Sequence, residues 1–463
     1  MAKGLKGRMI EPGINPTTGE RHKAHRAMRV AETHEVLHHA DTAFRVWRKA
    51  DFTRRAEPLK ASADLLRQRS EEFARIMALE MGKPLAQGRA EVEKCAWVCE
   101  YFAENAVRFL ERETVATDAT KSYVMFQPLG VVLAIMPWNF PFWQVFRCAA
   151  PALMAGNAVV LKHASNVPEC ALAIERVFQE AGLPEHLMRT LLVESSHTKA
   201  LIEHPVVRAV AVTGSVAAGK AVAALAGAHL KKTVLELGGS DPYLVLEDCD
   251  LDATVETCAT ARFLNSGQSC IAAKRFIVVE PLRKQFEERF VARARVETMG
   301  DPLVEGTTLG PLARRDLRDH LQDQVQRSVK QGAKVLLGGT IPEGPGCFYP
   351  ATVLTDVRPG MTACDEELFG PVAAIIGVPD EVEAIQVANE SRFGLGAAVF
   401  TRDLERGEHI ASGPLEAGSC FVNDFVKSDP RLPFGGIKES GYGRELSAFG
   451  IREFVNIKTV WVG

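Results

Sequence analysis

The sequence predicts an α/β fold with two doubly wound domains and a small β-structured arm. Three observations support this prediction. Between residues 32 and 110, apolar residues recur every three or four positions, which is typical of amphipathic helices. From residue 129 onward, short β-branched runs alternate with helical stretches, a pattern that favours parallel strands joined by crossover helices. Two further strand-like segments, 119–128 and 454–463, fit neither unit.

Length and composition set the first limits. A chain of 463 residues is too long for one compact core and should divide into two or three domains. It is 46% hydrophobic and 24% charged, as in soluble globular proteins. Its formal net charge of -3 gives no support for nucleic acid or an anionic membrane as a partner.

The compartment is predicted from the N-terminal segment and the cysteines. The first twenty residues contain no apolar core of the length that a signal peptide needs, and no later run approaches the ~20 residues that span a bilayer. Ten cysteines are too sparse for a disulfide scaffold, so we expect free thiols in the cytoplasm. Cys95 and Cys99 share one helix face without a second Cys/His pair, which favours core packing over a metal site.

The strands divide between two predicted units. The first unit has strands at 129–136, 157–163, 207–213 and 232–237, and its ligands should lie beyond their carboxyl ends. The second unit begins near residue 241, with strands at 243–247, 275–280, 334–339, 372–378 and 396–401. The segments 119–128 and 454–463 lead away from both cores, and edges of that kind are often used for subunit pairing.

A glycine-containing loop follows the strand at 207–213. In "GSVAAGKA", Gly214 and Gly219 open a helix whose backbone N–H groups would favour a phosphate oxygen. Gly214, Gly219 and Lys220 occupy P-loop positions, but Ala221 stands where a P-loop has the Ser/Thr that binds magnesium. No G-x-G-x-x-G occurs. The loop alone fits a phosphate site and an ordinary glycine-opened helix equally well.

Three residues with catalytic side chains fall on strand ends or loops. Cys270 lies in "FLNSGQSCIAAKR", Glu236 ends the strand at 232–237, and Asn139 lies in the Pro-flanked turn "PWNFP". Each has an ordinary interpretation alone: an inert thiol, a solvated carboxylate, and a turn or cap residue. Together, on loops of the type where α/β proteins place their chemistry, they indicate an active site.

At this point the sequence resembles the aldehyde dehydrogenase superfamily over essentially its whole length. The motifs "PWNFP", "TGSVAAGK", "LELGGSDP", "FLNSGQSCIAAKR", "EELFGPV" and "PFGGIKESGYGRE" occur in the family's order and at its spacing. Within the superfamily the chain is most similar to bacterial succinate-semialdehyde dehydrogenases. The resemblance implies an aldehyde dehydrogenase-like fold. It implies a dinucleotide-binding domain (1–118 and 129–238), a catalytic domain (239–440), and oligomerisation strands (119–128 and 454–463) in a homodimer or homotetramer.

The resemblance also implies a mechanism. Cys270 would attack the aldehyde to give a thiohemiacetal, after activation to the thiolate by a nearby helix end and a cationic nicotinamide. The Asn139 amide and the Cys270 backbone N–H would bind the oxyanion. Hydride transfer would leave a thioester, and Glu236 would be the general base for its hydrolysis.

The cofactor implied by the resemblance is NAD or NADP. The expected cofactor-binding residues are Trp138, Lys162, Ser165, Gly214, Ser215, Leu237, Glu367 and Phe369. Ser165 stands where strictly NAD-dependent members often carry Glu, whose carboxylate would repel a 2′-phosphate, so NADP is admissible. We interpret His163 as a packing residue rather than a phosphate contact.

Substrate recognition is expected near Arg147, which matches an arginine that binds the far carboxylate in succinate-semialdehyde dehydrogenases. Before the resemblance, an internal salt bridge explains a buried arginine equally well. A second arginine of those enzymes is Leu264 here, and Arg262 should point elsewhere because i and i+2 do not share a helix face. Ser428 is a candidate donor to the substrate. Four aromatic residues should shape the tunnel: Phe142, Trp143, Phe263 and Phe425.

Alternatives from other classes remain open at this stage. The chain could act on another small aldehyde, with no metal required in either case. A P-loop nucleotide hydrolase rests on one near-match that fails at Ala221. A catalytically silent relative would keep the fold, although the intact Cys270, Glu236 and Asn139 argue against it.

Overall fold

A computed structural model describes residues 9–10 and 13–463 of the chain. The first residues of the predicted domain 1–118, namely 1–8 and 11–12, lie outside the described part. Within that part, no helix combines the length and the apolar character needed to cross a membrane.

The described residues form helices and strands in the following chain order. The helices are α1 Val30–Trp47, α2 Phe52–Gln68, α3 Ser70–Met81, α4 Leu85–Leu110, α5 Trp143–Met154, α6 Pro168–Glu180, α7 Thr198–Glu203, α8 Val216–Ala228, α9 Leu251–Phe263, α10 Glu280–Ala294, α11 Arg315–Lys330, α12 Thr362–Asp365, α13 Glu381–Asn389, α14 Leu404–Ser412 and α15 Ser447–Ile451. The strands are β1 Glu113–Thr114, β2 Lys121–Pro128, β3 Val131–Met136, β4 Ala158–His163, β5 Met188–Thr190, β6 Val207–Thr213, β7 Lys232–Glu236, β8 Asp241–Val245, β9 Ala273–Val279, β10 Lys334–Leu337, β11 Thr352–Thr355, β12 Val372–Val378, β13 Phe393–Gly394, β14 Gly396–Phe400, β15 Ser419–Val422, β16 Ile437–Lys438, β17 Gly441–Tyr442 and β18 Val455–Val462.

Four helices precede the first sheet, as the periodicity of residues 32–110 predicts. Asp51 begins α2 by accepting the Arg54 N–H at 2.8 Å, which is a typical N-cap. Gly82 ends α3 in the left-handed conformation (φ 79°), where a glycine costs least. Cys95 and Cys99 on α4 are fully buried in the core, as expected for packing residues.

The first sheet has the order β17-β7-β6-β3-β4-β5. Its strands are parallel except for the short β17, which pairs antiparallel with β7. β3 and β4 are buried along nearly their whole length because helices cover both faces, and this explains their continuous apolar runs. All four predicted strands are present. β5, only three residues long, was not predicted because it is too short to show a periodicity.

The second sheet has the order β10-β11-β12-β9-β8-β14-β15. Its central strands are parallel, and β12 spans the predicted residues 372–378. β10 pairs antiparallel with β11 and is mostly exposed, as an edge strand can be. The two doubly wound sheets confirm the predicted fold class.

A third, three-stranded sheet forms the predicted arm. β2 pairs antiparallel with β18 along its whole length, from Val455 opposite Pro128 to Val462 opposite Lys121, and β1 pairs with the other edge of β2. Ile457 and Trp461 on β18 are more than half exposed.

The chain returns to the first sheet after it completes the second. β16 pairs with β13, and β17 then pairs with β7, so that Gly441 lies opposite Glu236. α15 follows and packs against α4 and α5. We call residues 433–453 the return segment. It lies at the edge of the first sheet where the catalytic side chains were predicted.

Candidate active site

The predicted catalytic residues come from neighbouring strands and from one loop of the second unit. Asn139 follows β3 and Glu236 ends β7, and both strands flank β6 in the parallel sheet. Their carboxyl ends therefore lie at the same edge. Cys270 comes from the segment between α9 and β9.

The loop before Cys270 has an unusual backbone. Asn265, Ser266 and Gly267 adopt φ values of 55°, 53° and 72°, so three successive residues are left-handed. For Asn265 and Ser266, this backbone conformation costs about 1 kcal/mol or more each, so contacts with the surrounding residues must stabilise it. The Asn265 side-chain amide does so by donating to the backbone oxygens of Asn139 (2.8 Å) and Gln268 (3.1 Å).

Lys274 stabilises the turn on the other side of Cys270. Its fully buried ammonium group donates to the carbonyl oxygens of Ser269 and Cys270, both at 2.8 Å, and lies 3.5 Å from the Glu367 carboxylate. Burial lowers the pKa of Lys274. Sequence reasoning did not single out Lys274. The available signal was a Lys-Arg pair within the otherwise apolar stretch "IAAKRFIVV".

Asn139 lies directly against the Cys270 loop. Its Nδ2 donates to the Gln268 carbonyl at 3.0 Å, and Gln144 donates to its Oδ1 at 3.1 Å, which fixes the orientation of the amide. Among the residues that the structure describes, no acceptor pairs with the Cys270 backbone N–H. The two expected oxyanion donors therefore lie on segments in direct contact.

The electrostatics of Cys270 differ from the expectation. Burial raises the pKa of the thiol to about 12, while the nearby charges of Arg147 and Lys274 lower it. The helix that precedes Cys270, α9, ends at Phe263, so its nearer end is the C-terminal one. A helix C-terminus carries partial negative charge and does not stabilise a thiolate. Of the two activating features expected, the helix end is thus wrong.

Glu236 is buried without hydrogen bonds. It is 2% exposed, and neither carboxylate oxygen has a hydrogen-bond partner among the described residues. Burial raises the pKa of Glu236 well above its usual value, and the charge of Glu445 raises it further, while Arg147 and Arg444 lower it. An unpaired buried carboxylate is costly, and such groups are concentrated at functional sites.

Arg147 is engaged within the protein. Its buried guanidinium forms an ion pair with Glu445 and lies 4.6 Å from the centre of the Phe434 ring. Thr213 is a weak partner at 3.5 Å. The structure thus contains the internal salt bridge that the sequence left as the alternative. Glu445 itself was not predicted, because nothing in "GYGREL" indicates a contact with a helix 300 residues earlier.

The expected adenosine side of the cofactor site contains two buried basic residues at the end of β4. Lys162, at the end of β4, is buried and forms no ion pair with any described residue, and burial lowers its pKa. His163 donates from Nε2 to Pro141 O (2.9 Å) and accepts the Ala164 N–H at Nδ1 (2.9 Å). Burial lowers the pKa of His163 to about 4, so it is a neutral packing residue, as interpreted from the sequence.

The glycine-containing loop leads into α8. Ser215 caps this helix by accepting the Ala218 N–H at 3.3 Å, and a side chain added at Gly214 would meet open space. Gly219 packs so closely on Leu237 that a Cβ atom would overlap its side chain. Lys220 is exposed and pairs with Glu439 at 2.6 Å. The lysine therefore does not face the loop as a P-loop lysine would.

The expected nicotinamide side brings together residues from both units. The rings of Trp138 and Phe369 meet edge to face at 5.8 Å. Glu367 accepts the Gly239 N–H at 3.0 Å, beside the Cys270 loop. An open helix N-terminus, an unpaired lysine and this cluster together fit a dinucleotide.

Ser428 has a partner that the sequence analysis missed. Lys94 on α4 donates to the Ser428 hydroxyl at 2.8 Å, and its ammonium lies 4.5 Å from the centre of the Trp143 ring.

Among the predicted tunnel residues, Phe142 packs on Phe73 and Phe263 on Phe290, both within the core. Arg262 is also buried and donates to Gly267 O at 2.8 Å.

The comparisons with known proteins agree with the fold. The family model described as the aldehyde dehydrogenase family matches residues 6–460. A Synechocystis sp. protein named probable succinate-semialdehyde dehydrogenase [NADP(+)] is 48% identical over 97% of this chain and 99% of its own length. The Escherichia coli succinate semialdehyde dehydrogenase [NAD(P)+] Sad is also 48% identical, over 97% of each chain. The crystal structure of a Streptococcus pyogenes succinic semialdehyde dehydrogenase in complex with NADP+ is 36% identical, with a TM-score of 0.95 over 98% of this chain and 99% of that chain.

The chain therefore belongs to the aldehyde dehydrogenase family. The resemblance inferred from its six motifs is confirmed, as is the similarity to bacterial succinate-semialdehyde dehydrogenases.

Proposed function

We propose that this enzyme oxidises succinate semialdehyde to succinate with NADP or NAD. The observation that carries the proposal is the near-full-length similarity, at 48% identity, to two bacterial proteins named for this activity. The site supports it because Cys270, Glu236 and Asn139 are all present and lie at one edge of the first sheet or against its loops.

In the proposed mechanism, the Cys270 sulfur attacks the aldehyde carbon, and the Asn139 amide and the Cys270 N–H bind the oxyanion that forms. When bound, the dinucleotide supplies the acceptor for the hydride that leaves the thiohemiacetal. The thioester that remains on Cys270 is hydrolysed by a water molecule whose proton Glu236 takes up. A carboxylate with a raised pKa and no internal hydrogen bonds suits that base.

The charges around Cys270 favour its activation only in part. Arg147 and Lys274 both lower the pKa of the thiol, yet burial keeps it at about 12 in the protein alone. A cationic nicotinamide would add the missing positive charge, so we propose that thiolate formation depends on cofactor binding.

The cofactor residues are proposed in two groups. Lys162, Ser165, Gly214, Ser215 and Leu237 would bind the adenosine and the pyrophosphate. Trp138, Glu367 and Phe369 would bind the nicotinamide half. Ser165 is exposed and places no carboxylate beside the ribose, so a 2′-phosphate is accepted, in line with the NADP(+) in the names of the relatives.

The assembly, the domain roles and the location are further parts of the proposal. The first unit would bind the dinucleotide and the second would carry the nucleophile. β2 and β18 would pair subunits in a homodimer or homotetramer through their exposed apolar residues. Ten free cysteines fit the reducing cytoplasm.

The alternatives have less support. If the substrate is another small aldehyde, the chemistry is the same and only the side chains that line the substrate tunnel select differently. A P-loop hydrolase is disfavoured because Lys220 pairs with Glu439 away from the loop. A silent relative would not need the unpaired carboxylate of Glu236.

A cofactor-reduction assay tests the proposal. Succinate semialdehyde and butyraldehyde are each supplied with NADP and with NAD, to the wild type and to Cys270→Ala. We expect turnover of succinate semialdehyde to exceed that of butyraldehyde, and Cys270→Ala to be inactive while still binding cofactor. Activity near wild type in Cys270→Ala would contradict the mechanism. A preference for butyraldehyde would contradict the substrate.

A further inference from the structure

Lys94 is a cation beside the candidate site, and no carboxylate of the described residues forms an ion pair with it. It lies on α4, partly buried, and its one hydrogen bond in the described structure is to the Ser428 hydroxyl. Asp429 and Glu91 are near enough to influence its charge, but neither forms an ion pair with it in the described part of the chain. Burial lowers the pKa of Lys94 to about 8. A desolvated ammonium of this kind gains most from an anionic ligand.

The position of Lys94 relative to the catalytic residues is given by its contact with α5. Trp143 and Arg147 are one helical turn apart, about 6 Å along the axis, and share a helix face. Arg147 lies close enough to Cys270 and Glu236 to influence both. Lys94 contacts the Trp143 ring and is near enough to Arg147 for that charge to act on it, so it lies beside the same face of α5.

Arg147 is a weaker candidate for binding a substrate anion. Its charge is already paired with Glu445, and the same buried cluster contains Glu236. One arginine among two carboxylates offers little net attraction to a third. The second arginine expected in such enzymes is Leu264, which is 40% exposed. A carboxylate entering this site therefore needs another cation.

We propose that Lys94 and Ser428 bind the distal carboxylate of the substrate, with the Lys94 ammonium as the principal cation and the Ser428 hydroxyl as a second donor. The inference rests on the proposed oxidation of succinate semialdehyde and identifies which residues select it. An ammonium has three donors, so Lys94 keeps two for the carboxylate while it contacts Ser428. The Trp143 ring orients the lysine stem.

The test compares Lys94→Met with wild type on succinate semialdehyde and on butyraldehyde, with saturating NADP. Methionine keeps an unbranched side chain of similar length and removes the charge together with the N–H donors. We expect kcat/KM for succinate semialdehyde to fall about 30-fold or more, mainly through KM, because a charge-assisted contact is lost. Butyraldehyde, which has no carboxylate, should change less than about 3-fold.

Three further variants sharpen the test. Lys94→Arg should restore most of the activity on succinate semialdehyde, because it restores the charge. Ser428→Ala should lower kcat/KM for succinate semialdehyde by about 10-fold, because a hydrogen bond to a carboxylate is lost, and leave butyraldehyde unchanged. Lys60→Met, at an exposed lysine on α2, is the control and should behave as wild type.

The outcomes separate this inference from the proposed function. Equal losses on both aldehydes in Lys94→Met, with wild type still preferring succinate semialdehyde, would overturn the role of Lys94 and leave the proposed function in place. A selective loss in the double variant Arg147→Met/Glu445→Gln but not in Lys94→Met would assign the carboxylate to Arg147 instead. A wild type that does not prefer succinate semialdehyde would contradict the proposed function itself.

Discussion

At the scale of single residues, the buried guanidinium of Arg147 lies near two buried carboxyl groups, Glu445 and Glu236. Arg147 pairs with Glu445, and Glu236 lies within reach of both charges but forms no hydrogen bond in the described structure. Glu445 and Glu236 repel each other when both are ionised, so the two carboxyl groups compete for ionisation, and burial raises the pKa of each. The raised pKa of Glu236 is thus a property of the whole cluster.

The role of Glu236 is tested by Glu236→Gln. Hydride transfer should occur once per site and deacylation should slow, because the base acts only after the thioester has formed. Stopped-flow measurement of cofactor reduction should show a burst of about one equivalent followed by a slow steady state. In wild type, the steady-state rate should fall as pH falls through the raised pKa of Glu236, because only the ionised form is a base. Loss of the burst as well would show that Glu236 is needed before hydride transfer.

The choice of cofactor is tested at Ser165. Ser165→Glu places a carboxylate beside Lys162, at the proposed ribose site, and should repel a 2′-phosphate. We expect Kd for NADP to rise by about 10-fold or more, measured by fluorescence titration, with little change for NAD. Ser165→Gln has a side chain of the same size without the charge and is the matched control. Equal weakening of both cofactors in Ser165→Glu would place residue 165 away from the ribose.

At the scale of secondary structure, the position of Asn139 depends on how α5 begins. Glu91 on α4 accepts the backbone N–H groups of Phe142 and Trp143, both at 2.9 Å, and forms a fully buried ion pair with Lys83. A carboxylate at a helix N-terminus satisfies free donors and complements the helix dipole. The turn that contains Asn139 is thereby attached to α4.

This attachment is tested by Glu91→Gln. Glutamine keeps an acceptor for the two N–H groups but leaves Lys83 buried without a counter-charge, which should cost about 3–5 kcal/mol. Denaturant unfolding should show this loss in the free energy of unfolding, accompanied by a lower kcat. The control is Glu93→Gln on the same helix, where an exposed pair with Arg67 is lost at a cost below about 1 kcal/mol. Equal stability of the two variants would contradict the role of Glu91.

The elements that could be predicted from the sequence are those with a local signal. β12 was predicted at its observed ends because seven residues, six of them buried, form one apolar run. β5, β11 and β15, with three or four residues each, are too short for any periodicity and depend on neighbouring strands. The motif residues of the site were found in the same local way.

What the sequence could not provide is the pairing of distant charged residues. Only the fold brings together the partners in two of these pairs, Lys94 with Ser428 and Arg147 with Glu445. Lys274 instead binds the Cys270 carbonyl, a backbone atom that carries no sequence signal. The charge of each residue is visible in the sequence, but its partner is not. For this reason Arg147 had two interpretations until the structure showed Glu445.

At the scale of the whole molecule, the candidate active site draws residues from both units and from the return segment. The first sheet supplies Asn139 and Glu236, the second unit supplies Cys270, and the return segment supplies Glu445 and the backbone opposite Glu236. The return segment leads directly into β18 of the arm. β18 is therefore continuous in the chain with residues that border the candidate site.

The last prediction concerns the arm. Ile457 and Trp461 on β18 are 62% and 53% exposed, and two residues of the same strand face separated by four positions form an apolar patch on an otherwise polar edge. If this patch pairs subunits, the double variant Ile457→Asp/Trp461→Asp should dissociate the assembly, because it would bury two unpaired charges at the interface. Sedimentation velocity should show smaller particles than wild type at equal concentration, with far-UV circular dichroism unchanged. Thr459→Asp, between the two on the same face, tests whether one charge suffices, and Glu405→Gln on the exposed start of α14 is the control. An unchanged sedimentation coefficient in the double variant would exclude β18 as the subunit contact.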